Sequence, residues 1–298
     1  MPTSRLLLLV LATLLSLPSL AVAQAAPLYS NHPELLPSLG EHRPRLAEVW
    51  YPHILAAGLH GVAAGAEMVI LDHEEFAPGE AEQYAKIIAA TRAASPVPVG
   101  IYGYGGRSYG VHAWHALAAH QVEHPEGAPN DDKWRRNNLA NKAADLEAAK
   151  ANVEQQRPAA AAADILGPTL YAHYEQPPEV AYQTAAAQLA DAKAEAAAAE
   201  AWARANIKYY RPRGPRRIVA FVSPNIAGVF GGELLGEAQQ DAILRACLDA
   251  GVSPLIWMAQ PERTERAASL SAARRMALRY YELCDEQARA QSTVDPAG

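Results

Sequence analysis

Short runs of β-branched and aromatic residues, each closed by Gly, Pro or Asn, recur along the chain at 67–73, 97–104, 164–172, 217–223 and 252–258. Runs of this length with these stops predict strands. The stretches between them carry helical patterns at 79–94, within 131–156, and at 178–206, 236–250 and 267–288. Residues 185–205 are so rich in alanine that they border on low complexity. Leu189, Lys193 and Trp202 interrupt the run, and alanine is the strongest helix former, so a plain helix is predicted there. Strand and helix in alternation predict a parallel sheet with crossover helices. The fold class expected is therefore α/β, as one TIM-like (β/α) barrel, a fold that takes roughly 200–250 residues as a single domain. Neither an internal repeat nor a linker divides residues 26–298.

The first 25 residues are set apart from that domain. Arg5 precedes an apolar run from Leu6 to Leu17, and small residues follow, ending in Ala21-Val22-Ala23. A charged start, an apolar core and an A-x-A ending make a secretory signal peptide, so a secreted or periplasmic product is expected. The apolar core is shorter than the roughly 20 residues of a membrane-spanning helix, and no span is expected after cleavage. Export changes the reading of the two cysteines, Cys247 and Cys284, since a disulfide is allowed in an oxidising compartment. Both fall in helical patterns, and two buried apolar residues are the other reading. A formal net charge of −6 with 19% charged residues opposes non-specific binding to nucleic acid, whose phosphates need a basic surface.

In a barrel of this kind chemistry sits at the C-terminal ends of the strands, where loops converge. Tyr102 and Tyr104 close the second of the five runs, Tyr171 the third and Trp257 the fifth. Aromatic rings at several strand ends suit a sugar cleft, because pyranose faces present C–H groups that pack on rings; ordinary packing with wet hydroxyl tips is the alternative. The first run ends Val69-Ile70-Leu71-Asp72-His73-Glu74-Glu75-Phe76-Ala77-Pro78. Alternation puts Asp72 and Glu74 on one side of the strand and Leu71, His73 and Glu75 on the other. Two carboxyl groups held close can divide labour, one kept protonated as general acid while its neighbour stays ionised. A solvated strand end is the competing reading.

These residues resemble the hyaluronidase-type glycoside hydrolases, whose signature strand reads roughly A-V-I-D-W-E-x-W-R-P. The likeness continues in order on both sides: Leu35 to His42 is similar to I-P-Q-L-G-x-L, Val99 to Tyr104 to W-G-Y-Y-x-F-P, and Leu166 to Tyr171 to L-Y-P-S-I-Y. Arg217 to Pro224 stands in the place of V-x-x-Y-T-R-P, and Ala250 to Trp257 is similar to L-G-A-x-G-x-V-I-W. The resemblance covers about residues 31–260. It implies a substrate-assisted retaining mechanism, in which the sugar's own 2-acetamido group is the nucleophile. On that pattern Glu74 is the acid and base, and Asp72 orients the acetamido group. Tyr171 hydrogen-bonds near the reacting centre and Trp257 walls the sugar. Tyr102, Tyr104 and Glu75 complete the expected substrate-binding set. The partner implied is a polysaccharide or oligosaccharide containing N-acetylhexosamine, and no cofactor or metal is expected.

The chain also departs from the family. His73, Phe76 and Ala77 stand where it has Trp, Trp and Arg, and Phe221 or Val222 stands where it has Tyr. Its disulfide framework is absent. The likeness begins only a few residues after the signal, which leaves no evident room for a first strand. A barrel one stave short, or with that stave replaced, is therefore expected, and a missing stave would open an unpaired edge. Elsewhere, His112, His115, His120 and His124 form a histidine-rich stretch without H-E-x-x-H, and a solvated segment is favoured over a zinc site. Neither cysteine has the setting of a nucleophile. Three readings stay open: a hyaluronidase-like hydrolase, a lysozyme-type muramidase, and a non-catalytic barrel that binds glycan or protein.

Overall fold

The computed structural model describes residues 26–50, 62–72, 80–103, 154–172, 175–208, 216–225, 234–257 and 266–293. Seven parallel strands close into a barrel: β1 (Tyr29–Ser30), β2 (Arg45–Trp50), β3 (Ala66–Leu71), β4 (Val99–Tyr102), β5 (Ile165–Gly167), β6 (Arg217–Val222) and β7 (Ser253–Ile256). Each pairs with its neighbours in sequence, and β1 joins β7 through Tyr29↔Leu255 and Ser30↔Ile256. Outside lie α1 (Glu80–Ala94), α2 (Arg157–Ala162), α3 (Pro178–Asn206), α4 (Glu237–Asp249) and α5 (Arg266–Thr293).

The expectation of a missing first stave is overturned. β1 occupies only two residues, directly ahead of the segment 35–42, and those two suffice to bridge β2 and β7. Tyr29 fills the barrel interior while Leu28 packs outward, so the short strand still separates two apolar sides. β2 is a second stave that the five predicted runs do not contain. Its Arg45 and Glu48 interrupt any apolar run, yet Ala47 and Val49 face the interior and Trp50 faces out. Its charges are matched locally: Arg45 donates to Glu67 at 2.9 Å, and Glu48 accepts from the Ala63 amide at 2.9 Å.

The interior follows from period-two alternation. Ala47, Met68, Ile70, Ile165, Val219 and Leu255 fill the middle, each almost completely buried. Gly100 completes this layer, because a Cβ there would lie 2.6 Å from Ile70 Cδ1 and 2.8 Å from Ile165 Cβ. The N-terminal end is closed by a polar cluster in which the Tyr29 hydroxyl and Arg45 both donate to Glu67. Burial, only partly countered by Arg217, holds the Tyr29 phenol above its ordinary range.

The outward strand residues bury against the helices. Val69, Leu71, Val99, Ile101 and Leu166 pack with Tyr84 and Ile88 of α1 and with alanines of α2 and α3. Ala220, Val222 and Ile256 pack with α3, α4 and α5. The alanine-rich stretch is indeed helical, and its buried Ala181, Ala185, Ala192, Ala199 and Ala203 let α3 approach its neighbours closely. Among the described residues no helix is long and apolar enough to cross a membrane.

Cys247 on α4 and Cys284 on α5 are buried free thiols, so the disulfide that export would allow is not formed. Burial pushes the Cys247 thiol up to about 12, far from the thiolate that reacts. A thiol reagent is expected to label neither cysteine in the native protein and both after unfolding without reductant. Failure to label the unfolded chain would show that the two are bonded.

Candidate active site

The inward alternation that fills the barrel reaches its C-terminal mouth with three side chains named from the sequence. Gly100 and Tyr102 are the inward residues of β4, because Val99 and Ile101 pack outward. In β6 the inward residues are Val219 and Phe221, and in β7 Leu255 is inward with Trp257 following two residues on. Tyr102, Tyr171 and Trp257 are half-buried and pack on the same interior cluster.

Phe221 is the hub. Its ring is fully buried, meets Tyr102 edge-on at 4.7 Å and 80°, and lies 6.3 Å from Trp257. Tyr102 in turn lies 6.3 Å from Tyr171. Such edge-on and tilted pairs are the favoured contacts between aromatic quadrupoles. The sequence left Phe221 and Val222 as alternatives for the position where the family has Tyr. Only Phe221 faces the mouth, since Val222 packs outward with α4 and α5. The mouth therefore keeps a ring at this place without a hydroxyl.

Backbone bonds hold these rings in place. Beyond the end of β5, the Phe221 amide donates to the Pro168 carbonyl and the Leu170 amide donates to the Phe221 carbonyl, both at 2.8 Å. The chain thus stays paired to β6 as it delivers Tyr171. The Trp257 amide donates to the Val222 carbonyl at 2.9 Å. Gly167 makes room for the hub, because a Cβ there would fall 2.8 Å from both the Phe221 ring and the Ile101 carbonyl oxygen.

Asp72 follows β3 directly, and its amide donates to the Trp50 carbonyl at 2.9 Å. It is only 7% exposed, so the end of the strand is covered here rather than solvated. Met68 and Ile70 face inward, and the same alternation sets Asp72 on the mouth side of the neighbouring stave to Tyr102. Tyr84 of α1 closes over the strand end, its hydroxyl donating to the Leu71 carbonyl at 3.2 Å. Burial, reinforced by the Asp72 carboxylate, keeps that phenol protonated well above its ordinary range.

Glu74, Glu75 and Tyr104 lie outside the described residues, as do the histidines from His112 to His124. Among the described residues no cluster of three His, Cys, Asp or Glu could hold a metal. Sequence reasoning missed the parts played by Gly167 and Tyr84. Gly167 carried a signal, being a glycine inside a strand run, which marks a close approach. Tyr84 carried none, since it sits on a helix and meets Asp72 only through packing.

No protein-family model matches the chain, and no curated protein matches it. Among solved structures, bee venom hyaluronidase is similar at 11% identity over 74% of this chain and 69% of that one, with a TM-score of 0.31. The same enzyme in complex with a hyaluronic acid tetramer is similar at 12% identity over 73% of this chain and 66% of that one, with a TM-score of 0.30. Similarity at this level does not bear on chemistry, and it is the strand pairing itself that establishes the α/β barrel.

Proposed function

We propose that the chain is an exported glycoside hydrolase that cleaves N-acetylhexosamine-containing glycans by a substrate-assisted, retaining mechanism. The observation that carries this reading is the convergence of Tyr102, Tyr171 and Trp257 around Phe221 at the mouth, beside the strand that leads into buried Asp72. Half-buried rings offer faces for a pyranose. Glu74, two residues beyond Asp72 in the sequence, donates a proton to the leaving glycosidic oxygen and later takes one from the incoming water. Asp72 orients the acetamido N–H and stabilises positive charge on the cyclic intermediate. Tyr104 and Glu75 belong to the same substrate-binding set. The signal pattern of residues 1–25 supports export. One motive for a non-catalytic barrel, the missing first strand, lapses with β1 in place.

The spacing of the two carboxylates along the sequence separates this mechanism from the two-carboxylate routes. A double-displacement enzyme needs its carboxyl groups about 5–5.5 Å apart across the sugar, and an inverting one about 6.5–9.5 Å apart with water between. Asp72 and Glu74 are two residues apart in the sequence, a spacing that suits an acid beside a residue that steers an internal nucleophile. The mature protein is expected to cleave N-acetylated polymers with retention at the anomeric carbon, and a cyclic thiazoline mimic is expected to inhibit. Equal cleavage of the de-N-acetylated polymer, or inversion in the first-formed product by NMR, would overturn the mechanism and favour a muramidase-like route.

A further inference from the structure

A hollow of about 360 Å³ lies beside the mouth, between the start of α3 and the start of α4. Pro177, Pro178 and Ala238 give it apolar walls, and Glu175, Gln176 and Gln239 border it. The chain reaches it from the mouth: one residue after Tyr171, buried Ala172 packs against buried Leu235, which leads into Gly236. The two helix starts are tied together where the Gln176 amide donates to Gln239 Oε1 at 3.0 Å. Neither helix start is capped by a side chain.

Gln176 is the anomaly in this hollow. It is only 5% exposed, and both its Nε2 and its Oε1 are buried without a hydrogen-bond partner. Buried amides are nearly always satisfied, because an orphaned donor or acceptor has lost its water and gained nothing. Here one planar group is left with a donor and an acceptor side by side. Both atoms are covered where they stand, so a ligand in the hollow reaches them once the Gln176 side chain swings out about its aliphatic torsions.

We propose that this hollow is a second sugar-binding site, which takes one neutral pyranose residue with adjacent free hydroxyls; the identity of the ligand rests on the glycan reading above. One hydroxyl accepts from Gln176 Nε2 while its neighbour donates to Oε1, a pairing that satisfies both orphaned atoms. The C–H face of the ring packs on the two prolines and Ala238. Acidic residues exclude an anion in spite of the two helix N-termini, since Glu175 borders the hollow and Glu179 and Glu237 stand in the first turns of α3 and α4. The same carboxylates accept hydrogen bonds from hydroxyls. Gly236 leaves room for one of them, because a Cβ there would come within 3.1 Å of Glu175 Oε1.

The test is calorimetric titration of the mature protein with the tetramer of N-acetylglucosamine, whose non-reducing end offers adjacent hydroxyls. Three variants are compared with the parent: Gln176→Leu, which removes both hydrogen bonds; Ala238→Trp, which fills the hollow from an exposed helix position; and Trp257→Ala at the mouth. Loss of two hydrogen bonds is expected to weaken binding by about tenfold or more in Gln176→Leu, and Ala238→Trp is expected to weaken it comparably. Retention of parental affinity by both hollow variants, with loss in Trp257→Ala, overturns the second site and leaves the mouth reading intact. Loss in the hollow variants with parental affinity in Trp257→Ala upholds the second site and counts against the mouth. A parent that does not bind the tetramer overturns both. If Gln176→Leu does not fold, Ala238→Trp decides.

Discussion

Glu74→Gln is expected to abolish turnover while sparing glycan binding. The substitution keeps the shape of the side chain and removes its transferable proton. Acid and base catalysis by a positioned side chain contributes roughly 10²–10⁴-fold, so kcat should fall by about that factor with little change in affinity. Comparison of hydrolysis rates with calorimetric affinities for the same N-acetylated oligosaccharide checks both halves. Near-parental turnover would remove Glu74 as the acid and make Glu75 the next residue to substitute. A loss of binding in equal measure would mean that Glu74 holds the substrate rather than protonating it.

Gly167→Ala is expected to destabilise the protein and to disturb the mouth together. The added Cβ would stand 2.8 Å from the Phe221 ring and 2.8 Å from the Ile101 carbonyl oxygen, closer than real contacts permit. The ring can tilt, but the carbonyl belongs to the β4 backbone and cannot move without straining the barrel. Overpacking of this kind costs about 1–3 kcal/mol, and each kcal/mol lowers the thermal midpoint of a domain of comparable size by roughly 2–4 °C. Because Tyr102 meets Phe221 edge-on at 4.7 Å, a displaced Phe221 ring also shifts Tyr102 at the mouth. Adding Phe221→Leu to Gly167→Ala should recover only part of the stability, since it relieves the ring contact and leaves the carbonyl contact. Full stability in Gly167→Ala alone would show that the notch is looser than the geometry requires.

Both expectations draw on features that were unequally visible in the chain. The strand over 217–222 and the helix over Pro178–Asn206 could be read directly, the first from a β-branched and aromatic run after two arginines, the second from alanine's propensity over eight turns. Tyr102, Tyr171 and Trp257 were legible for a related reason. Each ends an apolar run, and a parallel barrel gathers the C-terminal ends of its strands at one face. β1 was not legible, because two residues cannot display a period of two. β2 was hidden by Arg45 and Glu48, whose partners Glu67 and the Ala63 amide lie on the next stave and the turn before it.

The amino-acid sequence by itself determined the class of fold, the helices whose propensity is strong, and the strand ends on which the mouth aromatics fall. These are properties of neighbours along the chain. Only the tertiary structure decided which inward side chains meet, because that depends on the closure of the sheet through Tyr29 and Ser30 and on the register of each stave. Closure put Phe221 beneath Tyr102 and beside Trp257, placed its ring over Gly167, and left Val222 outside against the helices. The hollow at Gln176 belongs to the same class of fact. Gln176 and Gln239 are 63 residues apart in sequence, and no local pattern marks a carboxamide whose partners are missing until two helix starts have packed around it.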